Sequence, residues 1–136
     1  MTFRPEAIRG AAAGRPGGHV DYRLARNHVV NEFRRGRLSR LDVCDAHPEL
    51  IRAARSIGVP KVDVCPICES EALVQVTYAF GNRLPPSGKT VATERELAKL
   101  RKAAAELAIY VVEACVECSW NHLDRSFSVG GRQRRA

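Results

Sequence analysis

The sequence predicts an α+β fold, and three patterns carry the prediction. Apolar residues recur at steps of three and four through residues 21–58, the mark of helix faces. After Lys61 they alternate at strand spacing, and two Cys-x-x-Cys pairs, Cys65/Cys68 and Cys115/Cys118, border the predicted strands. The chain has 136 residues, the length of about one domain.

Residues 1–20 hold Gly10, Gly14, Gly17, Gly18, Pro5, Pro16 and an Ala triplet without apolar periodicity, and read as a disordered basic arm. A helical part follows over 21–60. Asp21 is a candidate N-cap for a helix whose face is Tyr22, Ala25, Val29 and Phe33, ended by Gly36. Ser39 begins a short helical stretch with Leu41 and Cys44. Pro48 suits the first position of a further helix, with Leu50, Ile51, Ala54 and Ile57 buried and Gly58 as the stop. Residues 61–130 form the second part. Val74, Val76, Tyr78 and Phe80 read as a strand, and 81–88, with Pro85 and Pro86, as a loop. Thr93 and Glu96 fit a capping box for a helix over 93–106 with Leu97, Leu100, Ala104 and Leu107 on one stripe. Ile109–Ala114 is β-branched and apolar, a strand leading into Cys115, and a last strand places Leu123, Phe127 and Val129 on one face. Residues 131–136 are a basic tail.

The net charge of +7 is unevenly spread: +6 over residues 1–40, −2 over 41–123 and +3 over 124–136. A polyanion meets the two ends first. The longest apolar run, Leu107–Val112, is far shorter than the roughly 20 residues of a membrane span, and the N-terminus lacks a secretory apolar stretch. The five cysteines are therefore read in a reducing, cytoplasmic setting, where paired cysteines point to metal or redox chemistry.

A Cys-x-x-Cys turn aims two thiolates the same way, and two such turns, here 46 residues apart, complete a Cys₄ site. Each pair also begins or ends a strand, the layout of a zinc ribbon in which two knuckles clamp one ion. Cys65, Cys68, Cys115 and Cys118 are accordingly read as ligands of one structural Zn²⁺. An iron–sulfur cluster would use the same four thiolates, while a thioredoxin-type redox site would need a helix directly after one pair. A closed four-thiolate shell has no open position for substrate, which argues against an enzyme, and no nucleophile–base pair is visible. Cys44 reads as a packed core thiol.

With both knuckles in view, Tyr110-Val-Val-Glu-Ala-Cys115-Val-Glu-Cys118-Ser-Trp-Asn-His122 and Leu38-Ser-Arg-Leu-Asp-Val-Cys44-Asp-Ala-His47-Pro48 resemble a family of small actinobacterial zinc-ribbon proteins of unknown function. The likeness covers most of residues 21–130. It implies a zinc ribbon behind a short helical N-terminal part and brings no assigned activity. The usual knuckle carries Gly after its second Cys; here Glu69 and Ser119 stand there.

The remaining motifs bear on partners. Ser87-Gly88-Lys89-Thr90 superficially suggests a phosphate loop, but six residues separate Gly81 from Gly88 where the Walker pattern needs four. A solvated loop presenting Arg83 and Lys89 fits better. Pro48 and the short preceding helix argue against a helix-turn-helix over 39–58. Arg23, Arg26, Arg34 and Arg37 fall together on the first helix, and residues 1–40 contain nine Arg and no Lys. Arg offers a bidentate fork to phosphate. With Arg132, Arg134 and Arg135 in the tail, these residues predict binding to RNA, DNA or a ribonucleoprotein, with no membrane and no small-molecule substrate. The alternative is an adaptor on the transcription or translation machinery, such as RNA polymerase or the ribosome, docking through the sheet edge or through an exposed Trp120 and His122. Trp120 has a second reading, as a shield over the metal site or core.

Overall fold

A computed structural model describes residues 18–82, 84–103 and 106–130. The elements run β1 (His19–Asp21), α1 (Arg23–Arg34), α2 (Arg40–Val43), α3 (Pro48–Ile57), β2 (Val59–Pro60), β3 (Leu73–Gly81), β4 (Lys89–Val91), α4 (Glu94–Ala103), β5 (Glu106–Cys115) and β6 (Asn121–Gly130). The strands form one antiparallel sheet in the order β1-β6-β5-β3-β2, with β4 also paired to β3. The long strands β3 and β5 stay in register from Leu73 opposite Cys115 to Gly81 opposite Leu107. No helix among the described residues is long and apolar enough to cross a membrane.

Both sheet faces are covered, which is why β5 from Leu107 to Cys115 is buried throughout instead of alternating. One face (Val76, Tyr78, Phe80, Tyr110 and Val112) lies under Leu50 and Ala54 of α3. The opposite face divides along its length. Ala79, Leu107 and Ile109 meet Leu97 and Leu100 of α4. Leu73 and Cys115, at the other end, join Val30 of α1, Val43 of α2, Cys65, Ile67 and Trp120. Gly58 lets α3 press onto β3: a Cβ there would strike the Ala54 carbonyl oxygen and lie 2.6 Å from Val74 Cγ2.

The helix ends follow the local chemistry. His47 Nδ1 accepts from the Glu49 amide at 3.1 Å with Pro48 at the first helical position. Ser39 and Asp42 form a reciprocal capping box on α2. Thr93 Oγ1 accepts from the Glu96 amide, while the Glu96 carboxylate reaches back to the Ala92 amide at 2.7 Å.

Several expectations change. His19–Asp21, placed in or beside the arm, are a strand paired to β6, and the N-cap of α1 is Tyr22, with Asp21 accepting from the Arg23 amide. Leu107 belongs to β5, because sheet pairing begins at Glu106 and overrides the helical stripe; Ala104 lies outside the described residues. Lys89 lies on strand β4. Leu123 does not share a face with Phe127 and Val129. A β-bulge leaves Arg125 opposite Val111 and Leu123 opposite Val112, so the extra residue Asp124 reverses the alternation. Leu123 thus packs on the α3 side and Phe127 on the α4 side. The arm before Gly18 and the tail after Gly130 lie outside the described residues.

Candidate metal centre

The two knuckles are built alike. In the first, the Glu69 amide donates to the Cys65 carbonyl and the Cys65 amide to the Ser70 carbonyl, both at 2.9 Å. In the second, Ser119 donates to Cys115 and Cys115 to Trp120, again at 2.9 Å. Each turn closes on a residue in the left-handed region, Glu69 at φ 65° and Ser119 at φ 74°, the positions where glycine is usual. In the first knuckle the Ile67 and Cys68 amides also point at the Cys65 sulfur, at 3.4 and 3.5 Å.

Pairing of β3 with β5 sets Leu73 beside Cys115 and so brings the knuckles together. The four sulfurs lie within 4.8 Å of one another, with Cys65–Cys118 and Cys68–Cys115 both 3.7 Å apart. An ion held tetrahedrally by four thiolates at about 2.3 Å requires neighbouring sulfurs about 3.8 Å apart. The arrangement therefore fits a Cys₄-bound metal. Without one, the thiols have uneven affinities for protons. Burial pushes Cys65 up to about 11 and Cys118 higher still. At Cys68 burial is outweighed by hydrogen bonds with Ser70 and with the neighbouring cysteines, bringing it down to about 7.

Three further residues surround the centre. The Ser70 hydroxyl lies 3.3 Å from the Cys68 sulfur and 3.6 Å from that of Cys115. Trp120, 1% exposed, packs with Cys65 and Cys115. Its indole Nε1 donates at 2.6 Å to Glu113, a carboxylate in the middle of the apolar strand β5 and itself only 1% exposed. Arg26 donates to Glu113 through Nε, and Lys61 through Nζ, each at 3.0 Å. Burial pushes the Glu113 carboxyl up, but the Arg26, Trp120 and Lys61 hydrogen bonds and the Arg26 charge hold it below the usual carboxylate range. One carboxylate thus ties α1, the segment after β2, β5 and the second knuckle together. The sequence signal for it was a lone Glu inside an apolar run.

The arginine stripe does not survive as a set. Arg26 is turned inward to Glu113. Arg23 pairs with Asp21, and Arg37 with Glu32 at 3.2 Å. Arg34 is exposed on α1 and Lys89 exposed on β4. Arg83, Arg132, Arg134 and Arg135 lie outside the described residues. Trp120 and His122 do not form an exposed surface, which corrects that expectation. Trp120 takes the shielding role, and His122, 9% exposed, stacks on it at 6.0 Å with Nδ1 2.8 Å from the Leu123 carbonyl. A carbonyl oxygen only accepts, so Nδ1 donates that bond, and burial lowers the His122 pKa.

Fold and site together define an α+β protein assembled on a tetra-cysteine centre. The chain belongs to the "Family of unknown function (DUF5318)", which matches residues 16–136. It is 41% identical over 111 residues to an uncharacterised protein of Mycobacterium bovis, and equally to uncharacterised proteins from two strains of Mycobacterium tuberculosis. Each alignment covers 82% of this chain and 81% of the relative. These relatives agree with the resemblance to an actinobacterial family. No solved structure matches the chain.

Proposed function

We propose that this is a non-enzymatic cytoplasmic protein whose four cysteines hold one structural zinc ion in a ribbon-like pair of knuckles, and which binds nucleic acid or a ribonucleoprotein. Zinc suits the donor set because four thiolates in a tetrahedral shell are its usual structural environment. A full shell has no coordination position for water or substrate.

The observation that carries the binding reading is the turn between α1 and α2. Arg34, Arg35, Arg37 and Arg40 fall within seven residues there and all are exposed. Arg37 pairs with Glu32; among the described residues, Arg34, Arg35 and Arg40 make no ion pair with an acid. Val30 and Val43, on either side of this turn, pack against Cys65 and Cys115, so the metal core supports the arginines. The proposed contacts shift from a helix stripe to this turn; Arg23, Arg83, Lys89, Arg132, Arg134 and Arg135 add to the positive charge of the chain.

Fluorescence anisotropy with labelled single-stranded RNA and duplex DNA tests the reading across a salt series. Three phosphate contacts correspond to a slope of log K against log salt of about −2 to −3. The variant R34E/R35E/R40E is expected to lose binding while keeping its melting temperature. Binding indifferent to salt and to these substitutions would refute it. A second reading, a protein adaptor, is favoured by the exposed Val59, Val62 and Val64 beside the short β2 edge. It predicts partner capture that survives both nuclease treatment and the arginine reversals.

A further inference from the structure

Cys44 is the one cysteine outside the four-sulfur group, and its surroundings hold it against the second knuckle. The Ala46 amide donates to the Ser119 carbonyl at 3.1 Å, and Asn121 Nδ2 donates to Asp45 Oδ1 at 3.0 Å. These bonds fasten residues 45 and 46 to the segment directly after Cys118. Cys44 packs against the same cluster as Cys68 and Cys118. Cys65 and Cys115 are fully buried, whereas Cys44, Cys68 and Cys118 are half-buried and within reach of a small oxidant; of the two half-buried cysteines in the four-sulfur group, Cys118 is the one next to the segment fastened to residues 45 and 46.

We propose that Cys44 is a resolving thiol for Cys118, so that a hydroperoxide converts the pair to a disulfide and releases the metal. The inference rests on the reading that the four cysteines bind a metal. The ligand thiolate is the nucleophile. Cys118 Sγ attacks the distal peroxide oxygen; the O–O bond breaks, Cys118 becomes a sulfenic acid and the alkoxide or hydroxide leaves, taking up a proton. Cys44 Sγ then attacks the sulfenic sulfur, the S–S bond forms and water departs with the thiol proton. Two sulfurs supply the two electrons that reduce the peroxide to an alcohol, or to water, plus one water. Only three cysteines remain on the metal, and the second knuckle no longer closes.

The full chain, loaded with zinc and assayed for one zinc per chain beforehand, is treated with hydrogen peroxide. Zinc release is followed with a chromogenic chelator, and disulfides are mapped by mass spectrometry after non-reducing digestion. The expected result is a Cys44–Cys118 linked peptide appearing together with zinc release, and return of zinc binding after dithiothreitol. Cys44→Ala is expected to hold zinc before oxidation but to over-oxidise Cys118 to the sulfinic acid, which dithiothreitol does not reverse. A map showing only Cys65–Cys118, Cys68–Cys115 or links within a knuckle overturns the proposal, as does a Cys44→Ala protein that recovers zinc as fully as the parent. If Cys44→Ala fails to hold zinc, the parent's peptide map decides alone. A parent without zinc at the start instead refutes the underlying metal reading.

Discussion

Glu69 and Ser119 adopt a backbone conformation that L-residues avoid, each directly after the second cysteine of a knuckle. A left-handed residue with a Cβ is about 1–2 kcal/mol less favourable than one in the right-handed region, and glycine escapes most of this. Glu69→Gly is therefore expected to raise the stability of the zinc-loaded protein by about 1 kcal/mol, and Glu69→Val to lower it, as thermal melts would show. A glycine variant melting below the parent would mean that the side chain, and not the backbone, governs this turn. Glu113 offers a sharper test. Replacing it with Gln leaves Arg26 and Lys61, less than a fifth exposed, without their counter-charge. Breaking such a buried network costs about 3 kcal/mol or more. Denaturant unfolding of Glu113→Gln should show that loss, whereas an unchanged midpoint would assign the network no structural weight. The cysteine pairs were legible in the sequence because thiolate geometry imposes a local spacing. The inward turn of Arg26 was not, since its partner lies 87 residues away.

Helix α1 was legible from its periodicity, and α2 and α3 also from their caps, because those signals are local in the chain. The short strands β1, β2 and β4 were not. Two or three residues carry no alternation of their own, and each forms only because β6 or β3 presents a free edge to it. Leu107 shows the same competition, with pairing of β5 to two neighbours overriding a helical stripe. The bulge at Asp124 escaped for another reason: one added residue reverses every side chain beyond it, and nothing in the local composition marks it. At this scale α3 is the element whose docking is most exposed to test. Gly58→Ala puts a methyl group into Val74 and the Ala54 carbonyl, and Leu50→Ala opens a cavity where Leu50 is 1% exposed. Leu50→Ala is expected to cost about 2–5 kcal/mol, read by denaturant unfolding. Gly58→Ala should lift the end of α3 and speed hydrogen exchange over residues 50–58. Protection equal to the parent there would contradict the close approach of α3 to β3.

The whole molecule is organised from its cysteine end. The cysteines, Trp120, Val30 and Val43 form one of its apolar clusters, so the four-sulfur site, the tie at Glu113 and the arginine turn are mechanically continuous. Metal binding requires deprotonated thiols, and burial pushes Cys65 up to about 11 in the metal-free site. Zinc uptake must therefore release protons, and affinity must fall as pH is lowered. Chelator competition at pH 6 should strip zinc more readily than at pH 8; equal competition would mean that thiolates are not the ligands. The central claim, that four cysteines bind one zinc ion on which the fold depends, is met most directly by native mass spectrometry of the purified chain before and after chelation, with near-ultraviolet dichroism of Trp120 recorded on the same samples. The expected result is one zinc per chain, absent from Cys115→Ser, and loss of the Trp120 signal once zinc is removed. A zinc-free chain that keeps its Trp120 signal and a cooperative melt would contradict it.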